Sequence, residues 1–262
     1  LSFALSLCGV LTAHDLFLRP DAFHLAPGAP ISIGVLSGTF STSENAITTD
    51  RLADLSLVTT NGRTPVDRSH WTQVEPRSTL TVAGQPRGTY VIGAALHPRL
   101  LSLPAAEFNA YLAEEGLDRV LARRRQQGRL QEDSQERYVK FVKALVQVGD
   151  TPTDVHAALL GYRAELVPLD NPYRLKAGDV LRLRCLIDGA PAPAGHVLFA
   201  GGRTPDGRRF RPQRVVTDDK GDVSVRLTTA GAWYVKLVAM HEVSEPGVRY
   251  ESLWSTVTFG VR

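Results

Sequence analysis

Seven histidines carry the widest chemical range in this 262-residue chain: His14, His24, His70, His97, His156, His196 and His241. No pair has the His-x-x-x-His spacing that turns two imidazoles toward a metal from one helical face. A metal centre would have to be assembled by the fold, and three histidines stand where a fold can present them. His14 opens the first strand-like run, while His97 and His241 each close one. Imidazoles at such positions take a divalent transition metal (Ni, Co, Cu or Zn), with Asp15 or Glu242 as a carboxylate partner. Cleavage after Ala13 would add a free amine to the His14 imidazole, a chelating pair suited to Cu or Ni. The alternative for each histidine is a surface or turn-capping role.

Two of these histidines belong to matching segments. Thr89–His97 reads TYVIGAALH and Ala232–His241 reads AWYVKLVAMH, each with Tyr-Val and a histidine seven residues beyond the tyrosine. Side chains alternate along a strand, so residues seven apart face opposite sides. The tyrosine is expected to pack and the histidine to be offered on the other face. A second echo pairs FHLAPGAPISIGVLSG with YRLKAGDVLRLRCLIDG, each Leu-x-x-Gly followed by an apolar run. Together they suggest two related β units.

Catalytic signatures are sparse. There is no Gly-x-Ser-x-Gly elbow, phosphate loop or dinucleotide fingerprint, and Gly201, Gly202 and Gly207 lie in a basic polar loop outside those contexts. Glu114-Glu115 and Asp218-Asp219 read as a helix face and a turn, and Ser43-Glu44 as a loop. A non-enzymatic protein is the expectation. The two cysteines, Cys8 and Cys185, exclude a disulfide framework and a paired-cysteine metal knuckle. Cys185, within VLRLRCLI, reads as a small buried hydrophobe.

The net charge of +3 is small, but the basic residues are concentrated in Arg123–Arg125 and in GGRTPDGRRFRPQR, residues 201–214. Such patches meet phosphate or anionic lipid, or are simply solvated. No zinc-finger spacing or RNA-binding aromatic pattern supports nucleic acid as a partner. Trp71, beside His70 in a polar stretch, is an interface candidate, whereas Trp233 and Trp254 are expected to be buried.

The chain opens LSFALSLCGVLTA, with no charge before Asp15. This stretch is too short to span a bilayer as written and resembles the apolar part of a secretory signal. It can be cleaved after Ala13, lipidated at Cys8, or retained. The reading preferred here retains it, with Leu1, Phe3, Leu5, Leu7 and Leu11 against lipid and integral membrane subunits. Trp71, Arg203, Arg208 and Arg209 would then meet partner surfaces or headgroups at the periplasmic or extracytoplasmic face.

The elements that must position these residues are mostly strands. DLFLRP, FHL, PISIGVL, ADLSLVTT and TLTVAG alternate with period two between Pro, Gly and Asn turns, giving a β domain over 14–103. Over 104–149 a helical hairpin is predicted. Its first helix runs from Pro104 to Gly128, with Gly116 as its weak point, and its second runs from Glu132 to Val148. A connector at 150–160 leads to seven short strands over 161–262, read as an immunoglobulin-like or transthyretin-like sandwich. The fold class is therefore mainly β: two β-sandwich domains, an inserted helical hairpin and a leader at 1–13.

Longer segments carry a family resemblance. AHDLFLRP directly after the leader, EFNAYLAEEGLDRVLARR from Glu107 and ERYVKFVKALVQVG from Glu136 resemble the DUF4198 family. AELVPLDNPYRLKAGD, TDDKGDVSVRLTTAG, AWYVKLVAMHEV and YESLWSTVTF extend the likeness over nearly the whole chain after Ala13. Members are often labelled periplasmic components of nickel or cobalt uptake. The resemblance implies an exported β-rich protein and adds weight to His14 and His241 as metal ligands. The basic loop Arg203–Arg214 departs from the family and favours docking. The expected function is thus a membrane-tethered extracytoplasmic accessory or stabilising subunit of a membrane protein complex. The alternatives are a periplasmic Ni/Co-binding protein of a transport system, and a carbohydrate or peptide binding module.

Overall fold

Runs of alternating and β-branched residues become strands throughout the computed structural model, which describes residues 14–262. The expectations for Leu1, Phe3, Leu5, Leu7, Cys8 and Leu11 lie outside the described residues. The strands form three sheets, and two short helices complete the mainly β architecture. None of the helices described is long and apolar enough to cross a membrane.

A ten-stranded sheet is the spine. Its path runs through strands Arg209–Val216, Val197–Arg203, Gly231–Glu245, Val248–Val261, Ser134–Val148, Gly88–Leu96, Leu52–Thr59 and Gly62–Pro65. It takes strands from both ends of the chain, which meet where Ser134–Val148 runs parallel to Val248–Val261, Glu136 opposite Tyr250 and Ala144 opposite Thr258. Both echoing Tyr-Val segments lie in this one sheet.

One face of the spine carries a five-stranded sheet that begins with Asp15–Pro20, and a core of Leu16, Ile33, Trp71, Ile92, Val142 and Val146 lies between them. Beside it on the same face, helices α1 (Ala105–Glu114) and α2 (Asp118–Gln126) cover Val238, Tyr250 and Trp254 through Phe108 and Leu112. The opposite face carries a four-stranded sheet, Ala164–Pro168, Val180–Ile187, Ala190–Pro191 and Asp222–Arg226. Its core includes Leu183, Cys185, Trp233, Val235 and Phe259.

The second helix expected over 132–148 is instead a strand. Tyr138, Phe141, Val142, Leu145 and Val146 match a helical period, but Val139, Ala144 and Val148 are also buried. A strand covered on both faces reads as a near-continuous apolar run, and β-branched valines favour it. The predicted first helix is divided into the two short helices α1 and α2. Gly116 takes φ +68°, Leu117 N–H donates to the Leu112 carbonyl at 2.8 Å, and α1 ends there. A side chain at Gly116 would also meet Val197, since a Cβ there would lie 2.6 Å from Val197 Cγ1.

Candidate functional site

The first strand lies at a polar seam between the five-stranded sheet and the helices. Strand alternation places Glu136, Tyr138 and Lys140 on the face of the spine that looks into this seam, and Lys236 reaches it from Gly231–Glu245. Lys236 Nζ contacts Asp15 Oδ2 at 2.9 Å and Glu115 Oε2 at 2.8 Å. Burial disfavours its charge, but Asp15 and Glu115 outweigh burial and raise its pKa. Burial also raises the Glu115 pKa, with Lys236 opposing.

Lys140 donates to the His14 carbonyl and lies over the rings of Tyr138 (5.1 Å) and Trp254 (5.5 Å). Burial lowers its pKa to about 8. Glu136 accepts from Ser252 and, at 3.2 Å, from the Tyr111 hydroxyl, while its Oε2 is buried without a hydrogen-bond partner. Burial raises Glu136 to about 7, against the pull of Ser252, Tyr111 and Lys140. The seam therefore holds incompletely compensated charge beside the first described strand.

Asp15 also lines a pocket of about 290 Å³, whose wall includes Phe40, Ser41, Arg203, Arg209, Phe210 and Tyr234. Phe17, Phe40 and Tyr234 form an aromatic trio with centroids 5.0–5.3 Å apart. Arg203 donates from Nε to Ser41 Oγ (2.5 Å) and from one terminal nitrogen to the Gly207 carbonyl (2.7 Å). Arg209 pairs with Arg203 through the sheet, and its guanidinium makes no hydrogen bond or ion pair among the described residues. Behind Phe40, Arg19 donates to the Phe40 carbonyl at 2.8 Å. Its pKa is lowered by burial and then by the nearby Arg77 and Arg203 guanidiniums, a sign of surplus positive charge.

The structure does not bring the three candidate histidines together. His14 lies at the seam, 3.4 Å from Glu44. His241 points to the opposite face, 3.4 Å from Glu251, whose carboxylate is already held by Arg137 and Arg163. The seven-residue spacing from Tyr234 to His241 thus does reverse the face. His97 is exposed just past Gly88–Leu96, beside Arg51. Among the described residues, no group of three His, Cys, Asp or Glu is arranged to hold a metal ion.

The basic residues divide. Arg203 and Arg209 line the pocket, whereas Arg208 is exposed and pairs with Asp206 at 2.7 Å. Trp71, expected at an interface, is a core residue at 5% exposure with its Nε1 donating to the Ile47 carbonyl at 2.8 Å. The indole is satisfied internally, so it offers nothing to a partner. Arg124, from the run expected to be solvated, is buried over Phe108 and donates to Asn109, Tyr250, Arg129 and Glu132. Sequence reasoning missed Glu115, Glu136, Lys140 and Lys236. The one local signal was a lysine inside an otherwise apolar strand run, as in RYVKFVKALV and WYVKLVAM.

Comparison with known proteins adds a family. The model of a domain of unknown function, DUF4198, matches residues 11–241. No curated protein matches the chain. Among solved structures, it is similar to dimeric latent PorU from Porphyromonas gingivalis, at 10% identity and TM-score 0.23, over 95% of this chain and 20% of that one. The D0-D1 domain of Intimin is similar at 10% identity and TM-score 0.24, over 93% of this chain and 97% of that one. Trypsin-activated alpha-2-macroglobulin from Escherichia coli is similar at 12% identity and TM-score 0.24, over 95% and 16%. The chain spans a fifth or less of the PorU and macroglobulin chains.

Proposed function

This chain belongs to the DUF4198 family, and from that premise we propose that it is a non-enzymatic extracytoplasmic accessory protein, tethered through residues 1–13 and stabilising a membrane protein assembly. One observation carries the reading: the chain enters its fold beside its basic pocket. Asp15, two residues beyond the apolar stretch, is held by Lys236 and lies on the wall shared with Arg203 and Arg209. Two extended residues reach about 7 Å. A leader inserted in lipid therefore brings the pocket to headgroup level, with cationic and aromatic groups where an interface favours them.

The same seam supplies a mechanical anchor. Thr256 and Thr258 donate to the Leu16 and Leu18 carbonyls at 2.8 and 2.5 Å, covering the outer edge of the first strand. A pull on the leader is thus met by the spine of the molecule. The test is the intact mass of protein extracted from its native membrane fraction. The tether predicts residues upstream of His14 and retention on membranes through a high-salt wash. A soluble chain beginning at His14 would overturn it.

A further inference from the structure

We propose that the pocket lined by Arg203, Arg209, Phe210 and Tyr234 binds the phosphodiester headgroup of an anionic lipid, an inference that rests on the tethered reading and deepens it.

The donors suit a phosphate. Arg203 is held in place by Ser41 and the Gly207 carbonyl, which leaves its second terminal nitrogen unused. Arg209 has both terminal nitrogens unused among the described residues. Guanidinium forks match phosphate oxygens bidentately, and a fork already held in place loses less entropy on binding. The carboxylates nearby offset only part of this charge: Asp206 is engaged by Arg208 and Thr204, and Asp15 shares Lys236 with Glu115, whose protonated form burial favours. Arg19 adds positive potential from behind Phe40.

Shape separates a headgroup from a protein partner. A pocket of about 290 Å³ sits at the small end of ligand sites and takes one compact anionic group. The adjacent strand Arg209–Val216 is the outer edge of the spine, and Pro212 within it lacks the N–H that an added strand would need. Gln213 also bonds across to the Arg226 carbonyl at 2.7 Å, so this edge is partly occupied. These features disfavour strand addition by an acidic polypeptide. The rim residue Tyr234 is half-buried, and such a ring settles at a membrane interface, whereas the Phe210 ring is turned onto Trp233 at 4.4 Å.

The experiment uses the full chain, with vesicles of phosphatidylglycerol mixed into phosphatidylcholine, vesicles of phosphatidylcholine alone, and soluble glycerol phosphate as competitor. Sedimentation is expected to show tighter binding to the phosphatidylglycerol mixture and displacement of that excess by glycerol phosphate. Arg209→Ala is expected to lower the preference about fivefold, and Arg209→Lys to restore only part of it. Neither should move the melting temperature, since the Arg209 guanidinium is exposed and unpaired. Phosphatidylglycerol preference unchanged in Arg209→Ala overturns the proposal, as does polyglutamate competing better than glycerol phosphate. Equal retention on both vesicle types overturns the pocket and leaves the tether standing. Glycerol phosphate binding that depends on Arg209, in a chain that leaves phosphatidylcholine vesicles, overturns the tether and leaves the anion site standing.

Discussion

Lys140 and Lys143 stand three residues apart on one strand, face opposite sides of the spine, and meet opposite fates. Lys143 pairs with Glu165, their side chains 3% and 2% exposed, and donates to the Ala158 and Leu166 carbonyls at 3.2 and 3.4 Å. Glu165 in turn accepts the backbone N–H groups of Leu160, Gly161 and Tyr162 at 2.6, 3.0 and 3.2 Å. Burial still lowers the Lys143 pKa, but both charges are enclosed by partners. Lys140 has a carbonyl and two aromatic faces, forms no ion pair among the described residues, and neighbours a glutamate with an unpartnered oxygen. One face of the strand completes a fold. The other leaves charge incompletely satisfied where the first strand enters and a pocket opens, the pattern expected of a site kept for use rather than stability.

Breaking the closed side should have the largest effect. Glu165→Ala strands a buried ammonium and three N–H groups, and a loss of about 3–5 kcal/mol in denaturant unfolding is expected. A loss below about 1 kcal/mol would erase the contrast. On the other face, Glu136→Gln sharpens it through pH. Unfolded Glu136 titrates at its ordinary 4.5 and folded Glu136 at about 7, so folding favours the protonated form. Its contribution is present below pH 4.5 and is lost as pH rises through 7, by at most about 3 kcal/mol. The glutamine variant should therefore match the parent near pH 4.5 and gain on it up to pH 8. A difference independent of pH would break the account of the seam.

Lys236→Met should cost less, about 1–2 kcal/mol, because Asp15 and Glu115 retain some solvent. The loss should be greater at pH 8 than at pH 5, because burial raises the Glu115 pKa and favours its neutral form as pH falls. Melting curves at the two pH values decide it. Arg209→Ala should be smallest, within about 0.5 kcal/mol, since it lies on the pocket rim and supports no packing.

Much of this architecture was legible as alternating runs, and the family was readable from long segments such as EFNAYLAEEGLDRV. Gly116 was visible as a weak point in the first helix, and the fold uses it as a break. Ser134–Val148 was not legible, because burial on both faces erases the alternation that distinguishes a strand from a helix. Arg124 and Trp71 were read from polar neighbours in sequence, whereas their partners come from elements that only the fold brings near. The seam was hidden for the same reason: Asp15, Glu115, Glu136, Lys140 and Lys236 come from three separate strands and the end of α1. Arg203 and Arg209 stood out because their loop is locally basic. That they share a wall with Asp15 follows only from the sheet order.

Hydrogen exchange of the full chain, with and without phosphatidylglycerol vesicles, tests the central claim most directly. The account predicts protection concentrated in residues 39–42 and 203–210, around the pocket beside the first strand. The turn at 188–190, on the sheet that covers the opposite face of the spine, should exchange as before. Protection at 188–190 with none at the pocket loops would contradict it.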